Sequence, residues 1–382
     1  MEKLLPLRTM KVNRVIGLLL LVLLISLSIN YAQVPDSQLL KQPPQVELGG
    51  TQLLKINSSI TGQEYVFYIS LPQHYSDTSK TFPVIYVLDG QWDFALMNAI
   101  YGDQYYDGFV PRAITVGITW GGANPDYDKR RSFDLTPTDA GQPSQFGNGE
   151  KFLSFIKKEA IPFIESKYRT KNNERTLIGS SFGGLFTLYA LFRESELFNR
   201  YVLTSPAWAW DNGSLNKFAE KFSKTNLSHP VTIYMSVGEY EDVSGFERLA
   251  AALKGYQMKG LELEATVIQG SGHAGTKPEG YNRGLQYVFT RKTINVNPAV
   301  LNQYVGTYEI NPQLKIKLVK ENDRLVAIGP DNTNITAYAE TEEDFFIKGQ
   351  YLFIHFEKDK TGKVDGFQLH QFAGDIFVKR MD

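Results

Sequence analysis

The chain has 382 residues, 40 basic and 41 acidic side chains, a formal net charge of −1 and no cysteine. Its 42% hydrophobic and 21% charged residues are an ordinary globular composition, which argues against wholesale disorder. The balanced charge gives no electrostatic case for nucleic acid, which needs a basic face. The missing cysteine excludes disulfides, thiolate nucleophiles, zinc ribbons and iron–sulfur clusters together.

Residues 1–32 read as an export signal. Lys11 and Arg14 precede an apolar run from Val15 to Ile29. That run is shorter than the ~20 residues a membrane-spanning helix needs, and it suits a signal-peptide core. Cleavage is expected after Ala32 or a few residues earlier, with an uncleaved anchor as the alternative. Met10 is an alternative start. With no cysteine near the cleavage region, no bacterial lipid anchor is expected. The expected location is periplasmic or extracellular, with no stable membrane span after cleavage. Residues 33–47 are polar and Pro-rich and read as a linker.

From residue 48 the pattern alternates between strand and helix. Leu53–Ser58, Tyr65–Leu71, Phe82–Leu88 and Ala113–Ile118 read as strands, the last two as continuous apolar runs buried on both faces. Residues 121–149 carry almost no periodicity and read as a long functional loop. Glu150–Tyr168 reads as a helix that Pro162 kinks or shortens. Strands follow at Arg175–Ile178, Tyr201–Thr204, Val231–Val237 and Leu263–Ile268. Helices follow at Leu215–Phe222, Phe246–Met258 and Tyr281–Phe289, and a tight turn then helix covers Gly179–Glu194. This alternation predicts an α/β domain over residues 48–292, a mostly parallel sheet flanked by helices. From Leu301 onward only short strands are read, beginning with Tyr304–Glu309 and ending with Ile376–Arg380. Residues 298–382 are therefore expected to form a small all-β barrel or sandwich.

Gly179-Ser180-Ser181-Phe182-Gly183 is a G-x-S-x-G sequence between a strand and a helix. That context suits a strained strand-to-helix turn that exposes a nucleophilic hydroxyl, here Ser181. A partner base follows by elimination among the five His. In open α/β sheets the site lies at the carboxyl ends of strands. His74 and His229 precede strands, and His355 and His370 belong to the β region. His273 alone follows a strand and follows the serine. The acid is sought after the Val231–Val237 strand, where Glu241 is preferred and Glu239 and Asp242 are alternatives. The oxyanion donors are expected to be the N–H of Phe182 and, from the loop after Phe82–Leu88, that of Gln91, with Trp92 next.

All four Trp follow predicted strands. Trp92, Trp120, Trp208 and Trp210 are thus expected to line a substrate pocket, the alternative being that they pack loops onto the core. Arg130 and Arg131 are candidates to meet an anionic substrate, with an Arg131–Asp134 loop tether as the preferred reading. No metal constellation or phosphate-binding loop is read, and no cofactor is expected.

These residues carry a resemblance. Phe82–Gly90, Arg131 with Asp134-Leu135-Thr136-Pro137, Ile178–Gly184, Ser205-Pro206, Val237–Glu241 and Gly272-His273 resemble the putative-esterase family of α/β-hydrolases over residues 48–292. That family includes feruloyl and carbohydrate esterases, siderophore esterases and mycolyltransferases. The branch with L-D-G, V-G-x-x-E and G-H loops, which includes siderophore-type hydrolases, is the most similar. The resemblance implies the α/β-hydrolase fold and a Ser181–His273–Glu241 triad, although some relatives work with Ser and His alone. It also implies that basic residues near Arg131 hold an anionic ligand. Residues 298–382 resemble a β domain appended to some bacterial serine hydrolases. The expectation is an exported serine esterase acting on a small-molecule or glycan ester. An acyltransferase on the same fold and a non-catalytic binding protein are the alternatives.

Overall fold

The computed structural model describes residues 47–382. The expected signal peptide and nearly all of the linker lie outside the described residues. Among those residues no helix is long and apolar enough to cross a membrane.

Eight strands build the first sheet: β1 (Thr51–Asn57), β2 (Glu64–Ser70), β3 (Phe82–Val87), β4 (Ile114–Trp120), β5 (Thr170–Ser180), β6 (Arg200–Thr204), β7 (Val231–Gly238) and β8 (Leu261–Ile268). Their order is β1-β2-β4-β3-β5-β6-β7-β8. The β1–β2 and β2–β4 pairings are antiparallel, and every pairing from β4 to β8 is parallel. Period-two geometry explains why β3, β5 and β6 are apolar on both sides. Tyr86, Leu177, Tyr201 and Leu203 enter one core, while Ile85, Val87, Ile178 and Val202 enter the core on the opposite face.

The connecting helices are α1 (Gly90–Tyr106), α2 (Tyr127–Asp134), α3 (Gly149–Phe155), α4 (Ile161–Lys167), α5 (Phe182–Arg193), α6 (Asn216–Phe222), α7 (Val243–Gly255) and α8 (Thr276–Val288). Three differ from the sequence reading, the first being α1, which it lacked. The stretch 121–149 is not all loop, because α2 forms inside it with the Asp126 carboxylate accepting from the Lys129 N–H as its cap. Pro162 does not break the predicted helix at its own position. A π-helical turn, Ile156–Ala160, joins α3 to α4, and Pro162 follows it in the first turn of α4.

The C-terminal region is a closed eight-stranded antiparallel barrel: β9 (Gly306–Asn311), β10 (Leu314–Glu321), β11 (Arg324–Ile328), β12 (Asn334–Ala339), β13 (Asp344–Ile347), β14 (Leu352–Lys358), β15 (Val364–Gln371) and β16 (Gly374–Arg380). Pairing of β16 with β9 closes it and removes free sheet edges. A helix the sequence reading lacked, α9 (Pro298–Tyr304), precedes the barrel. Asn297 caps it, Pro298 starts it, and Leu301 and Tyr304 join the barrel core, Tyr304 stacking on Phe356 at 3.9 Å. Sheet and barrel have separate cores but lie in one compact unit, Gly50–Asp382. Tyr105 packs on Tyr351 at 4.7 Å across the joint, and Arg291 pairs with Glu340 at 2.7 Å.

Candidate active site

Ser181 stands between β5 and α5 with φ 57° and ψ −117°. A positive φ is unfavourable for a residue with a Cβ, and it persists only where the surroundings enforce it. Here they do. The Ser181 N–H donates to Thr204 O at 3.1 Å, and Ser181 O accepts from Ala207 N–H at 3.1 Å and Leu185 N–H at 2.9 Å. The two flanking glycines allow the turn its tightness. A Cβ on Gly179 would lie 2.4 Å from Gly183 O, and one on Gly183 would lie 3.3 Å from Asp89 Oδ2. This is the geometry of a nucleophile elbow.

His273 lies in the loop between β8 and α8. Its Nδ1 is 2.6 Å from Glu241 Oε2. Glu241 follows β7 and is held from its other oxygen: Oε1 accepts from Ser205 Oγ at 2.6 Å and from the Gly238 N–H at 2.9 Å. Partial burial pushes the Glu241 carboxyl up, but the bonds from Ser205, His273 and Gly238 outweigh it and hold the group below the usual glutamate range. Ser205 Oγ also lies 2.8 Å from Thr276 Oγ1, and Thr276 Oγ1 donates to His273 O at 2.9 Å. One hydroxyl therefore joins the acid to the histidine loop. The two other acids have different partners. Glu239 accepts from the Gly270 N–H at 2.8 Å, and Asp242 caps α7 through the Gly245 N–H at 2.9 Å.

Two helix N-termini start side by side at this end of the sheet, because β3 and β5 are parallel neighbours. Phe182 opens α5, and Gln91 lies in the first turn of α1. Asp89 O takes the N–H groups of both Trp92 and Asp93, at 2.9 and 3.0 Å. Trp92 N–H is thus committed, whereas the Gln91 and Phe182 N–H groups have no acceptor among the described residues. Thr119 Oγ1 holds the Gln91 side chain from β4 at 2.7 Å. Free, oriented N–H groups at helix starts are suited to a developing oxyanion.

The family profile described as "Putative esterase" matches residues 58–274. The chain belongs to that family of carboxylic ester hydrolases. The barrel region, residues 290–380, matches a second profile described as a domain of unknown function (DUF3471). A siderophore triacetylfusarinine C esterase of Aspergillus fumigatus is 31% identical over 189 residues, 47% of this chain and 65% of that protein. The ferri-bacillibactin esterase BesA of Bacillus subtilis is 28% identical over 264 residues, 62% of this chain and 89% of that protein. The crystal structure of the BES protein from Bacillus cereus superposes with a TM-score of 0.60 at 28% identity, covering 65% of this chain and 97% of that one.

Within this esterase-family domain the aromatic side chains divide. Trp120 is 2% exposed, and its indole N–H donates to Asp134 Oδ2 at 2.7 Å. It belongs to the core, not to a pocket. Asp134 also accepts from Tyr65, Asn148 and Gln63, so its oxygens are spent on the loop and β2. The expected Arg131–Asp134 tether is therefore absent. Arg131 instead grips Asp89 with Nε at 2.9 Å and Nη2 at 2.8 Å. Trp208 is half-buried against the first turn of α7, where a Cβ on Gly245 would fall 2.2 Å from its ring. Trp210 packs edge-on to Phe182 at 5.2 Å and donates its indole N–H to Thr138 O at 3.2 Å. Trp92 is 47% exposed and meets Tyr127 at 6.4 Å.

Two aromatic residues of this wall escaped the sequence reading. Tyr127 lies in α2, and Phe146 packs on Trp210 at 4.7 Å. Both come from the stretch 121–149, whose aromatic residues in a polar, aperiodic segment were the available signal. Ser205, Thr276 and Asp89 were missed as supporting groups, since single hydroxyls and turn acids carry no pattern. Among the described residues no group of three or more His, Asp or Glu could hold a metal ion.

Proposed function

We propose that this chain is an exported serine esterase that cleaves its ester through an acyl-enzyme. The His273–Glu241 contact at 2.6 Å, joined to the strained Ser181 turn through Thr204 and Ser205, carries the reading. In it, Ser181 Oγ bonds to the ester carbonyl carbon while its proton passes to His273 Nε2. The carbonyl oxygen becomes an oxyanion facing the Phe182 and Gln91 N–H groups. The C–O bond to the alcohol then breaks as His273 returns the proton to the leaving oxygen. Water, deprotonated by His273, releases the acid and restores Ser181. Glu241 fixes Nδ1–H and balances the imidazolium charge.

The substrate we propose is a siderophore-type ester with a flat acyl group. Two observations support this: the relatives' names, and the aromatic surface formed by Trp92, Tyr127, Phe182, Trp210 and Phe146 beside Ser181. A fluorophosphonate probe followed by mass spectrometry tests the mechanism. Label on Ser181, with none on Ser181→Ala, is expected; an unlabelled Ser181 in folded protein overturns it. A panel of ferric-siderophore, aryl and acetyl-sugar esters tests the substrate, with the highest kcat/KM expected on the first. Faster turnover of acetyl sugars would overturn that part alone. Detection of the mature N-terminus in the periplasm or medium tests export.

A further inference from the structure

Arg131 lies beside both elements that supply the oxyanion donors. Its guanidinium forms a two-point bond with Asp89, whose side chain is 2% exposed and whose left-handed backbone, φ 53°, turns β3 into α1. Asp89 immediately precedes Gly90-Gln91. Its carboxylate faces the start of α5, where a Cβ on Gly183 would fall 3.3 Å from Oδ2. The guanidinium also lies over two rings. One is Trp92, 5.6 Å from its centroid; the other is Phe182, at 5.4 Å. Arg131 thus touches the turn that carries the Gln91 N–H and the side chain of the residue that carries the Phe182 N–H. It comes from α2, an element that carries neither.

We infer that Arg131 is a positioning residue that locks the two oxyanion-donor peptides in register, and not the anchor for an anionic substrate. The reasoning rests on the serine-esterase reading above. A carboxylate neutralises the charge of this guanidinium at 2.8 Å, and the Arg131 side chain is only 14% exposed. Little of it is left to attract a ligand. A planar, bidentate group fixes an angle as well as a distance, which a lysine in the same place does not. Donors 2.7–3.1 Å from the oxyanion stabilise it strongly, and a small rotation of either peptide forfeits that contact in the transition state alone.

The consequence is a split between kcat and KM. Arg131→Gln and Arg131→Lys should lower kcat on p-nitrophenyl acetate by about 10²-fold and about 10-fold, on the scale of losing or loosening one oxyanion donor, with KM little changed. The same fold-loss is expected on the anionic mono-p-nitrophenyl succinate, and a neutral p-nitrophenyl phosphonate should label Ser181 more slowly by a similar factor. The double variant Asp89→Asn/Arg131→Gln, which restores a neutral hydrogen-bonded pair, should recover part of kcat. A KM rise confined to the succinate ester would overturn the inference and make Arg131 a substrate anchor. Unchanged kcat with a lowered Tm would overturn it as well, leaving a structural role only. Wild-type protein that takes no phosphonate label would instead defeat the serine-esterase reading, so the two failures are distinguishable.

Discussion

Glu241→Gln tests the site most sharply, because the substitution keeps shape and removes one property. The present carboxylate accepts on both oxygens: Oε2 from His273 Nδ1, and Oε1 from Ser205 Oγ and the Gly238 N–H. An amide has one oxygen. The backbone N–H of Gly238 cannot reverse its role, so the amide oxygen stays there and the NH2 turns to His273. Nδ1 must then accept, and the proton moves to Nε2, the atom that has to take the proton of Ser181. The histidine is held in the wrong tautomer. The equivalent acid-to-amide change in serine proteases lowers kcat about 10⁴-fold, or about 5.4 kcal/mol of barrier. The assay is steady-state hydrolysis of a p-nitrophenyl ester at neutral pH, with Tm as the control for folding. Retention of more than about a tenth of wild-type kcat would refute the argument, and would mean that Ser181 and His273 act without their acid.

Three further substitutions probe the elbow, the core and one ion pair. Gly179→Ala places a Cβ 2.4 Å from Gly183 O, so the elbow must open; a Tm loss and at least tenfold slower phosphonate labelling are expected, and wild-type labelling would contradict the strained-turn account. Asp134→Ala strands the Trp120 indole, the Tyr65 hydroxyl and the Asn148 amide in the core, at about 1–3 kcal/mol for each unpaired group; urea unfolding should show a loss above ~3 kcal/mol, and a loss under ~1 would show that these donors find water. Glu174 is pushed up by burial but pulled further down by Arg200, 2.5 Å away, so its folded-state pKa lies below the unfolded value. The stability it supplies is whole above the ordinary glutamate pKa and is lost as pH falls through its lowered folded value. The Tm difference between wild type and Glu174→Gln should therefore be widest at neutral pH and close in acid, and a difference that widens in acid would contradict the assignment.

The fold was legible where a pattern has a period. β3 and β4 are continuous apolar runs because helices cover both faces, and the eight barrel strands alternate between turn residues. What escaped were short helices whose formation depends on caps and tertiary contacts. Residues 127–134 are mostly polar and bury only Asp134, so α2 shows no apolar stripe. Its capping aspartate, Asp126, was its one local signal. The long α1 went unread for another reason: its one buried face mixes polar Asp93 and Gln104 with Phe94, Met97, Tyr101 and Tyr105, while Trp92 and Tyr106 stay exposed, so no apolar stripe stands out.

Candidate site residues were legible in proportion to how much chemistry their motif demands. The elbow needs glycine on both sides of Ser181, and a catalytic histidine needs a strand end, so each could be sought by rule. The acid could be narrowed only to three neighbours, because the tight turn after β7 decides which carboxylate faces His273; Glu239 and Asp242 are turned to Gly270 and Gly245 instead. Tryptophan position was the weakest guide. Trp120 and Trp92 both come at strand ends, yet the former points to Asp134 and the latter to solvent. A strand end fixes where a chain emerges and leaves open the face a side chain takes, and at Trp120 a buried carboxylate decides it. The same logic moves Arg131 from the substrate to the protein. A cation one helical turn from Asp134 looked tethered to it, but Asp134 was already saturated by four neutral donors, and Arg131 takes instead the buried carboxylate that turns β3 into α1.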